Sequence, residues 1–192
     1  MTAYNGGPEG NNSGGVFERI IHHKIFITEY NSLVGSSYIP LPKELRNSMK
    51  GMVNPINKID NECFRWCHLI LKYRNKQYIN QLDYTGVTFP VTEKQYKRTE
   101  EQNQISVNVF GYENGETFPL YISNKRFEDI IDLLLIEEDG VRHYVLIQDF
   151  NRCMLNKTKH EGRKHFGRYC FQCFTTSEIL KNHTEVCLEI NL

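Results

Sequence analysis

The chain has 192 residues with 23 basic and 23 acidic side chains, so net charge excludes a protein that holds polyanions through its whole surface. Hydrophobic residues make up 40% and aromatics 12%, enough for one substantial core plus a small appendage. No apolar run reaches a membrane span, and MTAYNGGPEGNNSGG lacks both the charged start and the apolar centre of a secretory signal.

Six cysteines without such a signal read as thiols or metal ligands in a reducing compartment, not as a disulfide framework. The expected location is inside the cell, in nucleus or cytoplasm, with no membrane partner. Residues 1–15, rich in Gly and Asn, are expected to be disordered, because they offer too little apolar surface to offset the entropy of ordering. From Val16 to Tyr30 the composition turns apolar, and Ile25 and Ile27 alternate with Phe26 and Thr28 as in a strand. Pro42, in SSYIPLPKELRNSMKG, is placed to start a short helix that Gly51 ends.

The segment DNECFRWCHLILKYRNK predicts a helix that Asp60 or Asn61 caps. Phe64, Trp66, Cys67, Leu69, Ile70 and Leu71 surround it with apolar groups, which predicts a helix in the middle of a domain. A short strand near Val87 to Val91 and a polar helix from Thr92 are expected next. NQISVNVFGYENGETFPLYIS predicts a β-hairpin, because Asn114-Gly115 is the preferred two-residue turn chemistry. A second hairpin joins DIIDLLLIEE to RHYVLIQDF across Asp139-Gly140. Hairpins mixed with helices define an α+β class with antiparallel pairing. The expected organisation is a tail over 1–15, an α+β domain over 16–155, a basic linker over 156–163 and a small module over 164–192.

The balance shifts after Asn151. Arg152, Lys157, Lys159, Arg163, Lys164 and Arg168 face only Glu161, which suits phosphate contacts with DNA or RNA and equally suits a solvated tether. Beyond them, Cys170, His183 and Cys187 fall in a C-x12-H-x3-C spacing. Phe174 and Leu180 lie where the two core side chains of a ββα zinc finger belong. The first cysteine of that pattern would fall on Gly167; Cys173 and His165 are the substitutes at hand. The expectation is one structural Zn2+ held by Cys170, Cys173, His183 and Cys187, against a degenerate finger that packs its core but holds metal weakly. Thr176, Ile179 and Asn182 would occupy the base-facing positions of the finger helix. None is the arginine that grips guanine from two sides, so sequence-specific reading is not expected.

A second constellation is Cys63 with His143. A thiol at a helix N-terminus is activated by the dipole, and a histidine from a later strand can act as its base. Asp60 would shape an oxyanion-binding turn. Asp149 is about 20 Å along an extended strand from His143 and cannot orient it. The competing reading is a core cysteine and a hydrogen-bonded histidine.

Several blocks, among them SSYIPLPKEL, DNECFRWC, TGVTFP, ISVNVFGYENGETFPLYIS, HYVLIQDFNR and KTKHEGRKHF, resemble a region of large self-synthesising DNA elements of the Maverick (Polinton) type. There the region precedes a protein-primed family B DNA polymerase. The resemblance covers most of residues 33–190 and implies a mobile-element protein with a finger after its α+β domain. This chain departs from the pattern at Gly167, in a shortened stretch between Leu69 and Tyr84, and in ending after the finger, so it reads as a fragment, a decayed copy or a repurposed piece. Asp60-x2-Cys63-Phe64 and His143-Tyr144 are also similar to ovarian-tumour-type (OTU) deubiquitinases, papain-like cysteine proteases that act on ubiquitin. That similarity implies a papain/OTU-like fold and a hydrolase using Cys63 and His143. The expected functions are therefore a mobile-element accessory protein associating with nucleic acid, a papain-like cysteine hydrolase, or an inactive relic.

Overall fold

The computed structural model describes residues 38–46, 51–73, 81–138, 141–154 and 164–190. All belong to one compact unit, Ser32–Leu192. The expected N-terminal tail, the strand at 16–30, the Asp139-Gly140 turn and the basic stretch 155–163 lie outside the described residues.

Two expected strand pairs supply most of a five-stranded sheet. β1 (Met52–Val53), β2 (Ile105–Glu113), β3 (Glu116–Ile122), β4 (Asp129–Glu138) and β5 (Val141–Ile147) are arranged β1-β5-β4-β2-β3. Asn114 and Gly115 both take positive φ, 51° and 83°, as the tight turn between β2 and β3 requires. β4 and β5 pair antiparallel up to Glu138 opposite Val141. The centre of the sheet departs from the purely antiparallel expectation, because β2 and β4 run parallel from Ile105 opposite Asp129 to Gly111 opposite Leu135. Both strands are buried along most of their length, as strands covered on two faces must be.

Side-chain alternation divides the core in two. On one face Ile131, Leu133, Leu135, Tyr144 and Leu146 meet α1 (Cys63–Tyr73) through Cys63, Phe64, Cys67 and Leu69. Tyr96 of α2 (Glu93–Asn103) joins them there. The opposite face carries Leu134, Ile136, Val145 and Ile147. Ile39 and Leu45, with Phe150, Cys153 and Met154 of α3 (Phe150–Met154) and Phe166, cover it. Thus α1 is a covering helix with Trp66 and Ile70 only half-buried, not a helix enclosed on all sides.

The Pro42 helix is a single 3-10 turn, Lys43–Leu45. α2 begins as expected: the Gln95 side chain accepts the Thr92 backbone N–H at 3.1 Å. The strand expected near Val87 to Val91 is instead irregular with a bend at Phe89-Pro90, since Pro90 brings no N–H to a ladder and Thr92 already caps α2. Among the described residues, no helix is long and apolar enough to cross a membrane.

Candidate metal centre

The C-terminal module is a short hairpin, β6 (His165–Phe166) with β7 (Cys173–Phe174), followed by α4 (Ser177–Ile190). Its turn is a tight knuckle: Gly167 N–H donates to Gln172 O at 3.0 Å, and Phe171 N–H to Gly167 O at 2.8 Å. Phe171 takes the left-handed conformation, φ 57°, which bulky residues avoid. Its ring packs against those of Phe110 and Phe150, at centroid distances of 5.8 and 6.5 Å. Thr176 caps α4 by accepting the Ile179 N–H at 3.2 Å.

This geometry draws Cys170, His183 and Cys187 together, with their ligand atoms all within 4.8 Å of one another. Cys170 Sγ lies 3.2 Å from His183 Nε2. A tetrahedral zinc with ordinary Zn–S and Zn–N bonds sets ligand-to-ligand edges of about 3.5 to 3.8 Å, so the donors fit a zinc ion with side-chain shifts of about 1 Å or less. Desolvation, together with the neighbouring sulfur of Cys170, holds the Cys187 thiol above its usual range. Metal binding would exchange that proton for the cation. Phe174 packs against the His183 ring at a centroid distance of 4.8 Å, tilted by 38°, and helps to hold the imidazole.

Cys173 is not brought into the cluster. On β7 its side chain points opposite to that of Phe174, which faces His183, and the thiol is exposed. His165 is outside as well, paired with Phe174 across the hairpin. The expected four-ligand set is therefore corrected to three. Gly167 brings no side chain to the cluster: a Cβ built there would come within 2.5 Å of Cys170 Sγ, which occupies that space, and 3.7 Å of Leu180 Cδ1.

The module sits on the sheet by means of a polar chain that sequence reasoning missed. Arg168 Nε donates to Asp132 Oδ2 at 2.8 Å. Asn108 Nδ2 reaches the other oxygen of that carboxylate at 2.9 Å, and Asn108 Oδ1 accepts the Ser123 N–H at 3.1 Å. Asp132 interrupts the most apolar run of the chain, Ile130 to Ile136, and that interruption was the available signal. Phe166 is buried against the sheet, and its N–H donates to Asn151 Oδ1 at 2.9 Å.

Two of the cations expected to meet phosphate have acidic partners and remain partly exposed. Arg168 is engaged by Asp132, and Arg152 by Asp149 at 3.1 Å. Lys164 is half-buried; Lys157, Lys159 and Arg163 lie outside the described residues.

The expected Cys–His pair does not assemble. His143 shares the β5 face of Val145 and Ile147, opposite that of Tyr144 and Leu146, which meet α1. The sheet thus lies between the imidazole and Cys63. His143 Nε2 instead contacts Asn54 Oδ1 at 2.7 Å, and its ring meets Tyr38 edge-on. Cys63 is fully buried, and desolvation pushes its thiol up to about 11, outweighing the lowering by a hydrogen bond with the Tyr144 backbone. Cys67, whose thiol donates to Tyr144 O at 3.5 Å, is held well above its usual range for the same reason. Asp60 stands at the turn that leads into α1. Its Oδ1 accepts the Glu62 N–H at 2.8 Å and the Trp66 indole N–H at 3.3 Å, which starts α1.

At pH 8 roughly one Cys63 thiol in a thousand is ionised. Alkylation located by peptide mass spectrometry is expected to be slow at Cys63 up to pH 9 and to be unchanged by His143→Ala. Fast labelling near neutral pH that the substitution abolishes would reverse this assignment.

Comparison with protein-family models, with curated proteins and with solved structures finds no match to this chain.

Proposed function

We propose that the chain is a zinc-finger-bearing accessory protein that associates with nucleic acid, without base-specific reading, of the kind its resemblance to Maverick-type elements implies. The convergence of Cys170, His183 and Cys187 on one point carries this reading, because a Cys-His-Cys cluster beside a hairpin and helix suits a zinc-finger-like module. Lys157, Lys159, Arg163 and Lys164, placed just before the module in sequence, are the cations proposed to meet phosphate. The candidate base-facing positions argue against specificity. Thr176 spends its hydroxyl on the helix cap, and Ile179 offers only an exposed apolar surface. α4 also carries Glu178 and Glu185 on its exposed side, which repel phosphate.

The test is a titration of the zinc-loaded full chain with mixed-sequence duplex DNA at several salt concentrations. With four phosphate contacts, log K is expected to fall against log salt with a slope of about −3.5. Replacing Lys157, Lys159 and Arg163 together by Ala should reduce the slope to about −1, and permuting the DNA sequence should change nothing. A flat salt response in the unaltered chain would overturn the proposal.

A further inference from the structure

The three donors lie at the wall of a cavity of about 160 Å³ that is lined by Ile130, Phe166, Gly167, Arg168, Tyr169 and Leu180, with Thr184 and the donors themselves. A water's share of liquid volume is about 30 Å³, so a molecule of several heavy atoms fits this space. The cavity surface is mostly apolar, from Ile130, Phe166, Leu180 and the Tyr169 ring. Thr184 adds little polarity, because its hydroxyl already donates to Leu180 O at 2.8 Å.

The knuckle supplies the second observation. Its backbone closes on itself through Gly167, and a side chain at that position would project onto Cys170 Sγ. The position is glycine and Cys170 Sγ occupies the space its Cβ would need, so the turn places Cys170 but brings no ligand of its own. A zinc with three protein ligands keeps its fourth position for water or an incoming group, whereas structural sites are closed by four.

The chemistry of the opening selects the group. Two thiolates and a neutral imidazole just neutralise Zn2+, so one further anion is tolerable where cations stand close. The Arg126 guanidinium supplies such a cation, 3.8 Å above the Tyr169 ring that forms a wall of the cavity, while Arg168, which also lines it, is paired with Asp132. A soft donor suits a sulfur-rich zinc, and an apolar wall suits a short hydrocarbon body. We infer that Cys170, His183 and Cys187 form an open zinc centre whose fourth position, unfilled by Gly167, binds a small alkyl thiol as its thiolate. On binding, the thiol gives its proton to solvent and the metal-bound water leaves.

This inference rests on the metal centre proposed above, and the two fail differently. The full chain, reduced with a phosphine and loaded with Co2+, would be titrated with 2-mercaptoethanol. The sulfur-to-cobalt charge-transfer intensity reports the number of bound thiolates. In the unaltered chain it is expected to rise by about one half and saturate, as two thiolates become three. Gly167→Cys should begin at the three-thiolate intensity, ignore added thiol, and hold cobalt at least tenfold more tightly against a chelator. Cys173→Ser should behave like the unaltered chain. Cobalt bound at two-thiolate intensity with no response to thiol would overturn the open site while leaving the metal centre standing. Three-thiolate intensity before any addition, lost in Cys173→Ser, would also overturn it. Failure of both the unaltered chain and Gly167→Cys to take up cobalt would remove the metal centre itself.

Discussion

Replacing Arg168 by methionine is expected to destabilise the protein by about 3 kcal/mol, far more than an ordinary surface change. The reason lies with its partner. The Asp132 side chain is 2% exposed, in the middle of β4, and its charge is met by Arg168 Nε at 2.8 Å and by Asn108 Nδ2 at 2.9 Å. Without the guanidinium, a carboxylate remains under the C-terminal module with one neutral donor. Removing one partner of a buried pair costs about 3–5 kcal/mol. The lower end applies here because the Arg168 side chain is 42% exposed and water can partly replace it. Asp132→Asn in the same chain should recover a good part of the loss, since an amide needs no counter-charge. The two substitutions should therefore be non-additive by about 1 kcal/mol or more. Urea midpoints of the four proteins measure this. A single-variant shift under about 0.5 kcal/mol would mean that Asp132 is solvated and that the module is held by its rings alone.

That ion pair marks the boundary of what sequence could supply. Local patterns carried the elements: Asn114-Gly115 announced the hairpin it makes, and Thr92 with Gln95 announced the start of α2. The metal spacing was legible for a similar reason, because Cys170, His183 and Cys187 belong to one short stretch whose hairpin and helix fix their separations. Cys173 misled because adjacency in sequence resembles a knuckle, whereas alternation along β7 turns it outward once Phe174 faces His183. The relations that failed most widely involve distant segments. Whether β4 would lie beside β2 depends on two apolar runs finding each other in parallel, and neither run states its partner.

The Cys63–His143 pairing failed on parity. Tyr144, not His143, turns toward α1, and a shift of one residue along β5 sends the imidazole through the sheet to Asn54. The apolar residues of β5 on either side of His143 fill both faces, so the sequence alternation carried no sign of which face was which. The same two-sided burial hid Asp132, whose role appears only when Arg168, 36 residues later, is laid over it.

The α1 face of the core should also make the protein sensitive to acid, through His68. The residue is 1% exposed; its Nδ1 contacts Tyr84 Oη at 2.9 Å, while Nε2 has no hydrogen-bond partner. Burial holds the Tyr84 phenol well above its usual range, so it stays protonated and can donate to a neutral imidazole. A second ring proton would remove that acceptor and place a cation in an apolar layer with Lys72 nearby. Desolvation first, and then the Lys72 charge, lower the His68 pKa from 6.5 to about 4. The unfolded chain therefore takes up the proton before the folded one. The stability this contributes is complete above pH 6.5 and is lost progressively as pH falls toward 4, by about 3 kcal/mol in all. His68→Gln keeps an oxygen acceptor for Tyr84 and cannot titrate. Urea midpoints at pH 7 and pH 4 should therefore fall less in the variant, by about that amount. Parallel pH profiles would show that water reaches the ring, and such a wet layer would also weaken the desolvation that keeps Cys63 a thiol. The dryness of one face of the sheet thus decides two questions together: how the protein unfolds in acid, and how readily a cysteine at the start of a helix reacts.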